Sequence, residues 1–141
     1  MPDSGDCLFC KIVAGEIPST RAYEDRRVVA FMDINPINQG HLLVIPRNHA
    51  ATIYDIEPED LAAVYAAAQK LARAQKEALD QPGLNLIQSN GRAASQMVDH
   101  FHLHLIPRWL DDAFAQVMNW KLTPGDMDQI KATAEKIKAA L

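Results

Sequence analysis

Three of the five histidines of this chain are crowded into one stretch, HFHLHLIPR, which runs from residue 100 to residue 108. His100, His102 and His104 alternate there with bulky apolar residues. If the stretch is a β-strand, its three imidazoles share one face, and the apolar residues between them point to the core. A single histidine on a strand is usually structural or solvated. Three on one face, opposite an apolar face, indicate a functional site.

Metal binding and catalysis are the two chemistries that such a face can support. The outer two histidines of a strand of this kind are about 13 Å apart, and Zn–N bonds are only about 2.1 Å long, so one ion is not expected to collect all three. Imidazole titrates near pH 6.5, which leaves much of it neutral and nucleophilic at pH 7. The central His102 is best placed to attack. Phosphorus suits it because phosphoryl transfer mainly demands in-line positioning and charge stabilisation.

The loop before these histidines carries neutral polar side chains that can hold phosphate oxygens. They are Asn90, Ser95 and Gln96, and Gly91 lets the chain turn tightly between them. Each of them alone is also ordinary solvated loop chemistry. Their position just before the triplet favours a role at the phosphate.

The pair CLFC, with Cys7 and Cys10, indicates a second kind of site. A thioredoxin-like redox pair would follow a strand of a βαβ unit, and only six residues precede Cys7. Zinc takes four ligands, typically cysteine and histidine. Zinc binding and two plain buried thiols are therefore the interpretations that stay open.

Bulk composition narrows the class of protein. The chain has 141 residues, enough for one domain, with 48% hydrophobic and 23% charged residues. A formal net charge of −4 argues against a nucleic-acid binder, which needs a basic surface. No apolar run approaches a membrane span, and MPDSGD lacks the features of a signal peptide. We therefore expect a cytoplasmic protein that binds neither nucleic acid nor membrane.

Periodicity predicts the elements that must position these residues. Short strands are expected at TRAY, at 28–32, at 41–46, at 84–89 and through the histidine stretch. A long helix is expected from Pro58 to the break DQPG, and a last helix over about 124–140, opening at Thr123-Pro124-Gly125-Asp126. Short links between strands predict an antiparallel α+β domain spanning 1–141. The echo between HLLVIPR (41–47) and HLHLIPR (102–108) suggests neighbouring strands, which would bring His41 to the triplet.

The combined motifs resemble the histidine-triad (HIT) superfamily over roughly residues 7–109. HFHLHLI fits its alternating pattern, and CLFCKIVAGEIPS, VVAFMDINPINQGHLLVIPRNH and NGRAASQ follow in the family's order. Residues 110–141 fall outside the matching blocks as a C-terminal extension. The resemblance implies a HIT-like fold with a short N-terminal helix, an antiparallel sheet of about five strands, a long central helix and a C-terminal helix. It also implies a homodimer.

The resemblance assigns roles to individual residues. His102 would be a nucleophile that accepts a nucleoside monophosphate, with His104 and His41 completing a catalytic histidine cluster. Asp33 would bind the ribose hydroxyls, a role that two acceptor oxygens suit. Asn90 and Gln96 would contact the phosphate and leaving-group side. Residues near the base would be Phe9, Ile12, Ile17 and Ile34, although core packing is an equally good reading of each.

Some HIT proteins bind zinc through a cysteine pair and two histidines. By resemblance the four ligands here would be Cys7, Cys10, His49 and His100, and no organic cofactor is implied.

Two residues depart from the family pattern. Met97 occupies a position where some members carry Ser or Thr, which weakens any assignment to the phosphoramidase branch, and Ser95 replaces a frequent glycine.

The resulting hypothesis is a nucleotide hydrolase or transferase. It would act at the α-phosphate of nucleoside phosphoramidates, dinucleoside polyphosphates or related purine nucleotides, such as derivatives of AMP or GMP, through a nucleotidyl-histidine intermediate. Two alternatives stay open. One is a nucleotidyltransferase to a sugar phosphate, and the other is a zinc-stabilised nucleotide-binding or scaffold protein without turnover.

Overall fold

A computed structural model describes residues 5–117 and 121–141 of the chain. Five strands form one sheet in the order β1-β2-β3-β5-β4, and every neighbouring pair is antiparallel. The strands are β1 (Arg21–Glu24), β2 (Val28–Met32), β3 (Leu42–Pro46), β4 (Gly83–Gln88) and β5 (Leu103–Arg108). The helices are α1 (Leu8–Val13), α2 (Pro58–Leu79) and α3 (Met127–Ala139), with short 3-10 turns at Arg92–Ala94 and Ala113–Gln116. The α+β prediction is confirmed.

The long helix α2 covers one face of the sheet. Pro58 opens it, and the following acidic residues suit the positive end of the helix dipole. Its buried residues include Val64, Ala67, Ala68 and Leu71, the spacing of one helical face. These pack on alternate residues of the strands, among them Val44 of β3, in one core cluster. The break predicted at DQPG lies where α2 ends, at Asp80 in a left-handed conformation.

The short helix α1 covers part of the opposite face. Phe9 and Ile12 of α1 pack with Phe31, Leu43 and Ile45 of the sheet in a second core cluster. β2 and β3 are therefore buried on both faces, which explains why they read as continuous apolar runs rather than alternating ones. The histidines just before β5 contact α1, because the Phe9 ring lies edge-on to the rings of His100 and His102.

Differences from the predicted bounds are small and have local causes. β5 begins at Leu103, so His100 and His102 lie in the segment just before it, with His100 in a bend. α3 begins at Met127 because the Asp126 side chain accepts hydrogen bonds from the backbone N–H groups of Asp128 and Gln129. Within the described residues, no helix has both the length and the apolarity that crossing a membrane requires.

Candidate active site

The central histidine of the triplet has the geometry of a nucleophile. His102 is 6% exposed, and its Nδ1–H donates to the backbone carbonyl oxygen of His100 at 2.7 Å. Because a carbonyl oxygen only accepts, Nδ1 must carry the proton and the lone pair must lie on Nε2. Burial lowers the pKa of His102 below its usual value of 6.5. The ring is therefore neutral and nucleophilic at pH 7.

Three further side chains form a hydrogen-bonded relay beside it. The backbone N–H of Ile37 donates to Nδ1 of His41 at 3.0 Å, so the proton of His41 resides on Nε2. Nε2–H of His41 lies 2.9 Å from Nδ1 of His104 and 3.4 Å from Oδ2 of Asp33. His104 accepts at Nδ1 and consequently carries its own proton on Nε2. The ring of His104 lies 5.0 Å from that of His102 between centroids, and both residues line the same pocket.

Asp33, His41 and His104 also lie close enough together to be considered as metal ligands, since their ligand atoms are all within 4.8 Å. The tautomers oppose that use. Nε2 of His41 would have to lose its proton to bind an ion, while Nδ1 is already occupied by the Ile37 N–H. The arrangement fits a proton-ordering relay better than a metal centre.

Burial keeps the two imidazoles of the relay uncharged. It lowers the pKa of His104 to about 4, with the nearby His102 and His41 acting in the same direction and Asp33 opposing. Burial also lowers the pKa of His41, again against Asp33. At neutral pH the imidazoles of the site are therefore uncharged.

A pocket of about 430 Å³ opens onto His102 and His104. One part of its wall is apolar and comes from α1 and the sheet, where the ring of Phe9 stands edge-on to that of His102 at 5.2 Å. Asp33 lies in the wall with Oδ1 accepting from the backbone N–H of Asn35 at 2.7 Å. The structure places all four residues expected near the base in this wall: Phe9, Ile12, Ile17 and Ile34. Ile34 is 90% exposed at the rim, so core packing does not account for it.

Asn90 and Gln96, unlike the other predicted substrate contacts, are not among the residues that line the pocket. Gln96 is buried, donates to the carbonyl oxygens of Ala51 and Val98, and accepts from the N–H of Gly91. Oδ1 of Asn90 accepts from the N–H of Ile53 and from the Gln88 amide, and its Nδ2 donates back to Gln88. Both side chains hold the loop that faces the pocket.

Ser95, which the sequence indicated as a polar loop residue, lines the pocket together with Met97 of the same loop. Sequence reasoning missed three further lining residues, which come from α1 and the sheet: Leu8, Phe31 and Leu43. Ser95 adopts a left-handed conformation with φ of 65°, which explains why glycine would fit there. No alternation of polar and apolar residues distinguishes Phe31 and Leu43, which lie on the face opposite α2, because both faces of β2 and β3 are buried.

Cys7, Cys10, His49 and His100 form a second cluster, in the predicted combination, and could bind a metal. Cys7 Sγ and Cys10 Sγ lie 3.4 and 3.5 Å from Nδ1 of His100, and Cys10 Sγ lies 3.3 Å from Nδ1 of His49. In a tetrahedral zinc site with the usual bond lengths, sulfur and nitrogen ligands are about 3.5 Å apart. The observed spacing therefore fits a tetrahedral ion.

The tautomer of His100 supports the same conclusion. Its Nε2–H donates to the carbonyl oxygen of Pro46 at 2.8 Å, which leaves the Nδ1 lone pair facing the two sulfurs. A backbone partner of this kind is the usual support of a metal-bound histidine. Burial, followed by the neighbouring Cys7, raises the pKa of Cys10 to about 11, so metal binding would release a thiol proton.

Comparison with known proteins agrees with this geometry. A family model described as the HIT domain matches residues 14–109. "Protein hit" of Bacillus subtilis is 40% identical over 137 residues, covering 93% of each chain. Adenosine 5′-monophosphoramidase HNT1 of Candida albicans is 37% identical over 147 aligned positions, covering all of this chain and 95% of its own. The crystal structure of SMU.412c from Streptococcus mutans superimposes with a TM-score of 0.91 at 40% identity, covering 96% of this chain and 85% of the other. The chain belongs to the HIT family.

Proposed function

We propose that this protein hydrolyses nucleotide derivatives at the α-phosphate through a covalent intermediate on His102. The observation that carries the proposal is the hydrogen bond from His102 Nδ1–H to the His100 carbonyl, which leaves a neutral lone pair on Nε2 of a residue that lines the pocket. Three fungal relatives, including that of Candida albicans, are named adenosine 5′-monophosphoramidases. An adenosine 5′-monophosphate derivative is therefore our first candidate substrate.

The pocket offers separate surfaces for the parts of a nucleotide. The apolar wall made by Phe9, Ile12 and Ile17 suits a purine base. Asp33 has one oxygen committed to the Asn35 N–H and a second that lies 3.4 Å from His41, so it retains acceptor capacity for ribose hydroxyls. The loop supported by Asn90 and Gln96 would face the phosphate, and its backbone N–H groups would stabilise developing charge.

The chemistry takes two displacement steps at phosphorus. First, Nε2 of His102 bonds to the α-phosphorus, and the bond to the leaving group breaks with its electron pair departing on that group. The Nε2–H of His104 supplies a hydrogen bond to the reacting phosphate or to the leaving group. Second, a water oxygen bonds to phosphorus, the N–P bond breaks, and its electron pair returns to Nε2. The water gives its proton to solvent, which balances the proton that the leaving group takes up from solvent as it departs.

We further propose that the ion held by Cys7, Cys10, His49 and His100 is a structural Zn²⁺. Four protein ligands close the coordination sphere, as in structural rather than catalytic zinc sites. The zinc would fasten α1, which carries the apolar pocket wall, to the segment that precedes β5. Two thiols committed to metal also fit a reducing compartment such as the cytoplasm.

Metal analysis tests the zinc proposal. The purified protein should contain about one zinc per chain, and Cys10→Ser should lower that content or the zinc affinity by at least about 10-fold. Asp33→Asn is the matched control, because it alters the other histidine cluster and should leave the zinc content unchanged. Equal zinc content in the Cys10→Ser and parent proteins would contradict the assignment.

We propose that the chain acts as a homodimer joined through β4. β4 is an edge strand whose outer side has no partner strand among the described residues. Its sequence, GLNLIQ, contains no proline and no charge, the features that usually block an exposed edge. Two copies can pair antiparallel about a two-fold axis. Sedimentation of the full chain at several concentrations tests this, and a monomer throughout would contradict it.

Replacement of the nucleophile tests the enzymatic proposal. His102→Ala should lower turnover of an adenosine phosphoramidate by at least about 10³-fold, while AMP binding measured by calorimetry changes little. Wild-type turnover in this variant would remove the mechanism.

Adding a hexose phosphate separates hydrolysis from transfer, since an acceptor-dependent product would identify a transferase. AMP binding without turnover in the parent protein would identify a binding protein.

A further inference from the structure

The C-terminal helix α3 presents an apolar stripe that the described residues of its own chain leave exposed. Met127, Ile130, Ala134, Ile137 and Leu141 follow at the spacing of one helical face. None of the thirteen residues of α3 is buried, and Ile130 and Ile137 are 49% and 60% exposed. Large apolar side chains arranged in a continuous exposed stripe indicate an interaction surface.

The helix is too short to owe its stability to its own hydrogen bonds. Isolated helices below about 12–15 residues are marginal in water even with good helix formers. α3 has an N-cap at Asp126 and basic residues in its last turn, which contribute only modestly. A packing surface is therefore needed. The segment that leads to the helix adds further exposed apolar side chains, at Leu110 and Leu122.

The start of this extension is fixed firmly to the sheet. Asp112 accepts two hydrogen bonds from the Arg108 guanidinium, at 2.7 and 3.0 Å, and one from Nδ2 of Asn38 at 2.7 Å. It also accepts from the backbone N–H groups of Trp109 and Ala115, both at 2.9 Å. The chain therefore leaves the sheet from an anchored point rather than from a loose tail.

That anchored point lies beside the free edge of the sheet. Arg108, the last residue of β5, pairs with Gly83, the first residue of β4, and also donates from Nη1 to the side chain of Asn85 in β4. A second copy paired on β4 would bring its own sheet next to this point. Contact between two six-residue strands is small against the roughly 1,600 Å² that a stable interface buries. The two extensions can supply the missing apolar area.

We propose that residues 110–117 and 121–141 clasp a second copy of this chain, with the apolar stripe of α3 packed on the partner. The proposal rests on the homodimer proposed above and adds to it the surface that provides most of its stability. By two-fold symmetry each copy gives one extension and receives one.

A pair of matched double variants tests the clasp in the full chain. Ile130→Glu with Ile137→Glu places two charges within the stripe. Ala132→Glu with Ala139→Glu places the same two charges on the opposite, exposed face of α3. The dimer dissociation constant, measured by sedimentation, should rise at least about 30-fold for the first variant, as on loss of one central interface side chain. It should stay unchanged for the second.

Hydrogen exchange of the α3 amides provides a second readout on the unmodified protein. Exchange should slow as protein concentration rises through the dimer dissociation constant. An unchanged dimer dissociation constant in the stripe variant, with α3 amides that exchange equally fast at every protein concentration, would overturn the clasp but not the dimer through β4. A chain that stays monomeric at every concentration would overturn both proposals.

Discussion

The carbonyl oxygen of His100 accepts the Nδ1–H of His102 at 2.7 Å, so one backbone group joins the candidate metal site to the candidate nucleophile. The ring of His100 faces the two cysteines, while its backbone carbonyl sets the tautomer of His102, the next histidine along the chain. The same short segment thus serves two sites. Holding the His100 ring in place would also hold the nucleophile.

Histidine tautomers should follow the backbone hydrogen bonds. We expect the Nδ1–H form for His102 and the Nε2–H form for His41, His100 and His104. Nitrogen-15 NMR correlations of the imidazole rings at pH 7 report which ring nitrogen carries the proton. An Nε2–H tautomer at His102 would remove the lone pair that the mechanism requires.

Removing the relay donor should slow the chemical step more than it weakens substrate binding. His41→Leu deletes the Nε2–H that orders His104, so kcat should fall by about 10²-fold with a small change in KM. His41→Gln restores an N–H donor near the same place and should recover part of kcat. Equal kcat values for the Leu and Gln variants would show that the donor is not what matters.

Asp33 should determine the preference for ribose over deoxyribose. If its carboxylate accepts from the sugar hydroxyls, the parent protein should favour a ribonucleotide substrate over its 2′-deoxy analogue in kcat/KM. Asp33→Asn should reduce that preference by about 10-fold, because a charged acceptor is replaced by a weaker one. Steady-state kinetics on the two substrates measures this ratio. An unchanged ratio would place the ribose elsewhere.

Protonation of His104 should destabilise the fold in acid. Its pKa is about 4 in the folded protein, below the ordinary 6.5, so between these values the unfolded chain binds the proton and the folded chain does not. The free energy of unfolding should therefore decrease as pH falls from 6.5 to about 4. His104→Asn keeps an acceptor for His41. It should reduce the slope of the unfolding free energy against pH by the amount that corresponds to about one bound proton. Urea unfolding across this range measures both slopes, and identical slopes would contradict the shift.

The sequence predicted that His41 would lie near the histidine triplet, because the two strands carry similar motifs. The echo between 41–47 and 102–108 placed His41 near the triplet, and β3 pairs with β5 as expected, with Leu43 opposite His104. The composition of the second cluster, two cysteines and two histidines, was implied by the resemblance to the HIT family. The residues alone left zinc binding and two plain thiols open.

Details that depend on backbone groups from distant segments could not be predicted. The tautomer of His41 is set by the N–H of Ile37, and that of His100 by the carbonyl of Pro46, contacts that exist only after folding. Gln96 shows the same limit, since its amide bonds to Ala51, which lies 45 residues away. Its predicted contact with phosphate stays a prediction.

Capture of the intermediate bears most directly on the role of His102. The protein is mixed with adenosine phosphoramidate labelled at phosphorus-32, quenched within the first turnover at alkaline pH, where N–P bonds survive, and digested for mass spectrometry. We expect one labelled peptide that carries adenosine monophosphate on His102, and no label in His102→Ala. Complete turnover with no labelled peptide, or label on any residue other than His102, would contradict the covalent mechanism.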